Sequence, residues 1–567
     1  HSEWESPIAT QTVVIDDEKL QHYSNVAELL TAAPGIDLVN GIRGQNIRLD
    51  GLDSKYTLVL IDGQRVSGKL GEAYDFRALE LSGVHRIEII RGAGSALYGS
   101  DAIGGVINII TRDTVKQRVR VHADSNKQRD VSLSTGLVGE QSSVAVDIFA
   151  HQAEPINVPG SVATRFSGSE KFAVQIEPRW RGEKWDVKGR LHGSQEKLEA
   201  TELSAAGAIF KRYNDLSVYS VGTDATRYFE ADARLQMSVK AEQNKDDYEQ
   251  TLRRTGATQL REKTDERFLE SNVSYVAPIG KHLINIGAQH INEELSSDRL
   301  KDDSVERGRA AVYLQDELRL LDDSLTLIPA IRQDQDTQYD GHTSGKLALR
   351  YAPDKNQAFL ISYGEGYRAP SFKELYLLFE NTSVGYVVEG NDALKPETSR
   401  SVHAQYNIRS SAGWNASIGA YHYSIKDMIE NLLILQEPTG LIHYSYTNIS
   451  AAETLGADLN IAMDLGKAWT LNLGYGFLQA RDLSRQSALV GRSKHALSYQ
   501  AQYSFDAFSV SSRLKWQSAR TASSDAGFGN DEAIVIGDLI FNYRRGKTFI
   551  YSLAIENLGG SSGDMYW

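Results

Sequence analysis

The chain of 567 residues contains no cysteine, which excludes disulfides, thiolate metal sites and thiol catalysis, and suits an exported protein that needs no disulfide scaffold. It has no run approaching the roughly 20 apolar residues of a transmembrane helix. It has no basic surplus either: 61 Lys and Arg against 74 Asp and Glu leave a net charge of −13, which argues against a nucleic-acid partner. The opening His1-Ser2-Glu3-Trp4 has neither a basic nor an apolar region, so a leader is expected to have stood upstream of it. Enzyme signatures are missing as well. No His-Glu-x-x-His occurs, and Gly92-Ala93-Gly94 and Gly364-Glu365-Gly366 lack the third glycine of a dinucleotide loop. No resident cofactor or metal site is expected.

What is present has two grammars. Residues 1–115 read as a mixed α/β unit, with helical spacing of Leu20, Val26, Leu29 and Leu30 over 18–33 and a stop at Pro34-Gly35. Short apolar runs follow at Ile47–Leu49, Thr57–Ile61 and Arg86–Ile90. From about residue 116 to the end the period is two. Val119, Val121 and Ala123 alternate with basic residues; Val402, Ala404, Tyr406 and Ile408 alternate with polar ones. Trp469, Leu471, Leu473, Tyr475 and Phe477 repeat the pattern, as do Leu497, Tyr499, Ala501, Tyr503 and Phe505. The hydrophobic share of 41% would suit a soluble protein, but a membrane barrel gives the same figure because only alternate residues face lipid. A soluble propeller or sandwich also alternates, yet no blade-length repeat is visible. The apolar face ends in Tyr and Trp, as an interfacial girdle does, and the other face is small and polar, as a wet lumen requires.

Tight connections at Val138-Gly139-Glu140, Pro278-Ile279-Gly280 and Arg544-Arg545-Gly546 alternate with expected long loops at 152–169, 196–222, 295–306, 370–397 and 478–492. The tally is about 21 strands, close to the 22 of plugged transporters.

The N-terminal unit carries a series of motifs in order. They are Leu29-Leu30-Thr31-Ala32-Ala33-Pro34-Gly35-Ile36, Ile47-Arg48-Leu49-Asp50-Gly51-Leu52 and Thr57 through Asp62-Gly63-Gln64-Arg65-Val66, followed by Arg86-Ile87-Glu88-Ile89-Ile90-Arg91-Gly92 and Ser95 through Tyr98-Gly99-Ser100 to Ile109. Further on stand Tyr313-Leu314-Gln315-Asp316-Glu317, Gly366-Tyr367-Arg368-Ala369-Pro370 and Asn391 through Leu394-Lys395-Pro396-Glu397. In these blocks the chain resembles TonB-dependent outer-membrane transporters, from about residue 5 to 558. The resemblance implies a plug at 1–115 inside a transmembrane barrel of about 22 antiparallel strands at 116–567, in the bacterial outer membrane. It also implies a TonB-contacting segment upstream of His1 and one more strand than the residues after Leu558 can supply.

Resemblance supplies the site expectations too. The function implied is active import of a metal chelate, a ferric siderophore first, with cobalamin, haem or a passive receptor as alternatives. The partners implied are TonB of the TonB–ExbB–ExbD complex, outer-membrane lipid and the chelate, with a surface lipoprotein as an optional further one. Plug apices at 40–45 and 64–78 offer Arg43, Arg65, Lys69, Glu72 and Tyr74 as ligand contacts. The loop after Pro370 offers Tyr376, Phe379, Tyr386 and Glu389, basic and aromatic groups together suiting an anionic chelate. That loop has no histidine, which demotes haem. Asp298, Asp302, Asp303 and Glu306, or Asp334, Asp336 and Asp340, are the carboxylates a calcium site would need, although solvated loop charge is the simpler reading. Arg86, Glu88 and Arg91 on one strand are expected to face the same way, with Arg91 meeting Glu317, Glu374 or Glu397 of the barrel.

Overall fold

The computed structural model describes the chain except residues 1–9, 17–18, 24, 32, 42–43, 69–80, 82, 113–116, 159, 205–206, 383, 439, 467, 522–531, 547 and 560–567. The N-terminal unit is built from seven strands: β1 Thr10–Val14, β2 Ile36–Gly41, β3 Gly44–Leu49, β4 Thr57–Ile61, β5 Gln64–Arg65, β6 Val84–Arg91 and β7 Gly105–Thr111. Five of them form a sheet in the order β1-β6-β7-β4-β5, in which only β4 and β7 run parallel; β2 and β3 make a separate hairpin. The expected single helix over 18–33 is two short ones, α1 Lys19–His22 and α2 Val26–Leu30. Asn25 explains the break, because its side chain accepts the Glu28 N–H at 3.0 Å and so starts a new helix instead of continuing the first. Leu20, Val26, Leu29 and Leu30 are all buried, with Ile47, Ile87 and Ile107 in the same core.

The rest of the chain is one barrel. Among the described residues 21 long strands follow in sequence from Arg118–Ala123 to Phe549–Ile555, and each pairs antiparallel with the next, the first with Arg129–Val138 and the last with Ile534–Arg545. Side chains of one parity stand outward: Val119, Val221, Leu269, Val312, Ile361 and Leu497 are exposed, as a lipid-facing wall requires. At the end of the wall that carries the tight turns, aromatic rings stack from strand to strand. Trp469 lies 4.7 Å from Tyr503, Phe508 lies 4.8 Å from Tyr543 and Tyr543 lies 6.2 Å from Tyr551. That row is the interfacial girdle.

Two of the expected long loops are mostly strand. The stretch 196–222 belongs to Trp185–Leu203 and Ile209–Tyr228, and 295–306 is shortened from both sides by strands ending at Ser297 and restarting at Ser304. The apolar alternation stops where the wall leaves lipid, but backbone pairing does not. Above that level cross-strand charges such as Lys211 with Glu199, and Arg212 with Glu202 at 2.8 Å, take over from apolar pairs. The long connection 369–396 is a true loop, holding a short helix, α4 Phe372–Tyr376 (α3 being Ser95–Tyr98 of the N-terminal unit), and two short strands, Leu378–Asn381 and Tyr386–Glu389.

Candidate ligand vestibule and plug seat

The N-terminal unit lies inside the barrel and bonds to the lumen-facing side of most of its wall. At one end Asp62, on the turn after β4, accepts from Lys188 at 2.8 Å and from Arg190, which also meets Glu177 at 3.2 Å. Gln64 donates to Asp224 at 3.1 Å, the Arg65 N–H donates to Glu270 at 3.1 Å, and the Gly68 N–H donates to Glu266 at 3.3 Å. On the opposite side Arg513 donates to the His22 carbonyl at 2.7 Å and Gln517 bonds to Asp37. At one close approach of the unit to the wall, Gly92 adopts a φ of +87°, and a Cβ there would lie 2.9 Å from His403. Tyr423 of the wall, wholly buried, accepts the Gly92 N–H at 3.0 Å, and its own hydroxyl lies 2.8 Å from the Gly104 carbonyl and 3.2 Å from Asp50.

The charged strand behaves differently from expectation. Arg86 and Glu88 share a face and pair with each other at 2.8 Å. Arg91 stands five residues from Arg86, an odd separation, and so projects from the other face. Its guanidinium is buried within the unit, on Asp50 and the Pro34 carbonyl, and it meets none of Glu317, Glu374 and Glu397. Burial pushes the Asp50 carboxyl up to about 6, with Arg91 drawing it back down. Glu317 is paired instead with Arg319 of its own strand at 2.8 Å.

Glu374 and Glu397 are both fully buried, and both are held by Arg368, which contacts Glu374 at 2.6 and 2.9 Å and also bonds to Glu397. Ser371 and Glu374 form a capping box that fixes the start of α4. Burial alone would raise the Glu374 carboxyl, but Arg368 and Lys55 hold it down to about 2. The plug residues that reach these carboxylates are Lys55, 3.8 Å from Glu374, and Tyr56, whose hydroxyl donates to Glu397 at 2.8 Å.

Above this cluster opens a cavity of about 100 Å³, bounded by the plug, by the strand Ser304–Leu320 and by the start of the loop after Arg368. Six cations line it (Lys55, Arg65, Arg307, Arg309, Arg368 and Lys373) against three carboxylates, Asp101, Glu266 and Glu293. The lining itself is thus richer in cations than in carboxylates, with Glu374, Glu397 and Asp336 behind it pairing Arg368, Lys55 and Arg307. Asp336 stands further back and takes Arg307 in a fork at 2.6 and 3.1 Å, so it is committed to that arginine rather than to a metal ion. Among the described residues no group of three or more His, Asp or Glu is placed to hold a metal ion.

Of the nine residues expected to contact ligand, Arg43, Lys69, Glu72 and Tyr74 lie outside the described residues. Arg65 lines the cavity but is buried, with its guanidinium turned onto the Ser100 carbonyl at 2.9 Å and Asp101 at 3.4 Å. Tyr376, Phe379, Tyr386 and Glu389 come together in the outer loop. There Phe379 stacks obliquely on Tyr386 at 5.8 Å and meets Tyr248 edge-on at 6.3 Å, with the Arg299 guanidinium 5.0 Å over its ring. Tyr376 accepts from Gln338 at 3.2 Å, and Glu389 pairs with Lys301 at 2.8 Å. Sequence reasoning missed Arg307, Arg309 and Lys55. The first two sit two apart on a strand, a signal that was available. A second cavity, of about 390 Å³, lies on the α1–α2 side, bordered by Arg91, Asp458 and Arg513 and by several amides, and shares no lining residue with the first.

Comparison with known proteins agrees with this architecture. The model of the TonB-dependent receptor plug domain matches residues 2–106, and that of the TonB-dependent receptor-like β-barrel matches residues 158–558. The chain belongs to the TonB-dependent receptor family: a plug seated in an outer-membrane barrel. It is 26% identical to the iron-regulated outer membrane virulence protein of Vibrio cholerae serotype O1, over 84% of this chain and 76% of that one. It is equally identical to the vitamin B12 transporter BtuB of Photobacterium profundum, over 84% and 77%. The crystal structure of a mutant of the ferric enterobactin receptor PfeA from Pseudomonas aeruginosa superposes with a TM-score of 0.82 at 16% identity, covering 98% of this chain and 93% of that one.

Proposed function

We propose that this receptor imports a ferric siderophore, an anionic iron chelate, using energy delivered by TonB to the plug. In this reading residues 1–115 are the plug, 116–567 are the barrel, and the ligand enters through the cation-lined vestibule. The observation that carries it is the cavity between plug and outer loop, with six cations against three carboxylates and an Arg299–Phe379–Tyr386 cluster in the loop beside it. Charge attraction brings an anionic chelate in, and flat aromatic and guanidinium surfaces give its ligand arms something to stack on. The iron-regulated relative and the siderophore-receptor likeness support the same class. Cobalamin is the second reading, favoured by an equally similar vitamin B12 transporter.

Tryptophan quenching of the purified protein against ferric siderophores, haem and cobalamin separates them. Saturable quenching by an anionic ferric chelate, weakened by salt, is expected. Quenching by cobalamin alone, unaffected by salt, would replace the first reading with the second.

A further inference from the structure

One short plug segment touches three separate parts of the outer side. The turn Ser54–Tyr56, with Asp53 ahead of it, follows β3. Asp53 accepts from Arg492 of the loop 483–494 at 2.9 Å, while Arg48 donates to the carbonyl of Gly491 in that loop at 2.6 Å. Lys55 donates to the carbonyl of Ile429 at 2.6 Å and stands 3.8 Å from Glu374 of α4. Tyr56 donates to Glu397, and the same carboxylate oxygen accepts the Ile429 N–H at 2.6 Å. Both backbone groups of Ile429 are thus tied to the Lys55–Tyr56 pair, one directly and one through Glu397.

Ile429 lies at the base of a hairpin that stands out from the barrel, formed by the ends of the strands Trp414–Gln436 and Ile442–Leu465. The hairpin and the loop 369–396 form one body. Ile429 and Tyr446 share a buried cluster with Leu375 and Leu394, and the strand Tyr386–Glu389 pairs in parallel with Ile442–Ser445. Two residues before Ile429, within the continuous strand, Asp427 takes a φ of +55°, rare for a residue other than glycine. Asn448, the ladder partner of Ile429, donates to the carbonyls of Asp427 at 2.6 Å and Lys395 at 3.0 Å, so the two elements of the outer body are tied at one point.

We propose that the Asp53–Tyr56 turn is a latch. Lys55 and Tyr56, together with Arg368 of the wall, hold the body made of α4 and the hairpin beyond Asp427 in place, so that displacement of the plug removes the plug's share of the hold and loosens this body about Asp427 and Asn448. Lys55 and Tyr56 are then positioning residues, acting on the vestibule through Ile429, Glu374 and Glu397. The purpose assigned to the latch rests on the vestibule being the ligand site; its test does not, since it needs no ligand.

The protein has no cysteine, so Arg254→Cys and Gln436→Cys, both exposed, place two spin labels across the mouth without background. Electron–electron dipolar spectroscopy of the otherwise unaltered chain is expected to give one narrow distance distribution. Lys55→Met with Tyr56→Phe should broaden it and add a longer-distance population, Lys55→Met alone should do so in part, and Lys55→Arg should restore the single peak. Asp53→Asn, which weakens the pairs with Arg492 and Arg48 and leaves Lys55 and Tyr56 in place, should leave the peak unchanged. A single narrow peak in both Lys55→Met variants, in protein that still shows the heat-modifiable gel shift of a folded barrel, overturns the latch. Equal broadening in Asp53→Asn also overturns it, because the plug would then be merely loose. A failed ligand panel would instead bear on the import reading alone.

Discussion

Tyr423→Phe removes one oxygen atom from the seat of the plug and nothing else. The phenol is wholly buried on the lumen face of its strand and its ring stays filled by phenylalanine, so no cavity term arises. What is lost is the acceptor of the Gly92 N–H, at 3.0 Å, and the donor facing the Gly104 carbonyl, at 2.8 Å. A buried donor left unsatisfied costs about 1–3 kcal/mol, and the second bond contributes about 1 kcal/mol net, so roughly 2–4 kcal/mol of plug seating disappears. These bonds join plug to wall and lie within neither, so the loss falls on separation of the two rather than on unfolding of either. Amide hydrogen exchange of a peptide spanning residues 90–106, in detergent, reads that opening directly. Its exchange should speed up roughly 30- to 700-fold, at about 1.4 kcal/mol per tenfold. Tyr475→Phe serves as the control, since that hydroxyl bonds to His495 on the outer wall. A change of less than about threefold at 90–106 would refute the reasoning that plug retention is set by such buried polar contacts.

Acidity should loosen the other side of the seat. Burial, and then Arg513, hold the His22 imidazole down to about 4, so the seated plug keeps it neutral. Its contribution is complete above the ordinary value of 6.5 and is lost as pH falls from there toward 4, by at most about 3 kcal/mol; a His22→Gln protein with the same pH slope of plug protection would exclude this residue as the cause. Asp62→Asn leaves Lys188 and Arg190 sharing Glu177 alone, and should lower the urea concentration at which trypsin reaches the plug, by the equivalent of about 3 kcal/mol. Arg368→Ala strands Glu374 and Glu397 without their shared cation at full burial, and should cost about 3–5 kcal/mol in thermal unfolding, while Glu317→Ala, next to an exposed Arg319, should cost less than about 1 kcal/mol.

The barrel was legible because its rule is local. Alternation at Trp469–Phe477 or Leu497–Phe505 needs no knowledge of distant residues, and those stretches are strands whose apolar side faces out. Legibility failed where the environment changed but the backbone did not. Residues 196–203 and 209–222 lose the apolar alternation yet stay paired, because water on both sides tolerates charge on both faces as long as cross-strand partners match. It failed again at Asn25, where one capping side chain divided a helix that hydrophobic spacing alone had joined.

For the site, the loop after Pro370 and the carboxylates Glu374 and Glu397 could be found from sequence, but their partners could not, since Lys55 and Tyr56 are hundreds of residues away. Arg91 was misassigned for a reason open to correction in sequence, its odd spacing from Arg86. That correction alters the mechanics. If Arg91 were paired with a barrel carboxylate, moving the plug would tear a buried ion pair and leave a charge without its partner, at about 3–5 kcal/mol. Paired with Asp50 inside the plug, it travels with its counter-ion. What displacement must break is then a ring of hydrogen bonds and largely buried pairs, such as Tyr423 to Gly92, Lys188 to Asp62 and Arg492 to Asp53, each separable one at a time and each remade in water. A plug that must stay shut at rest and yield to a pull needs its strong pairs inside the moving part and its separable ones across the seam.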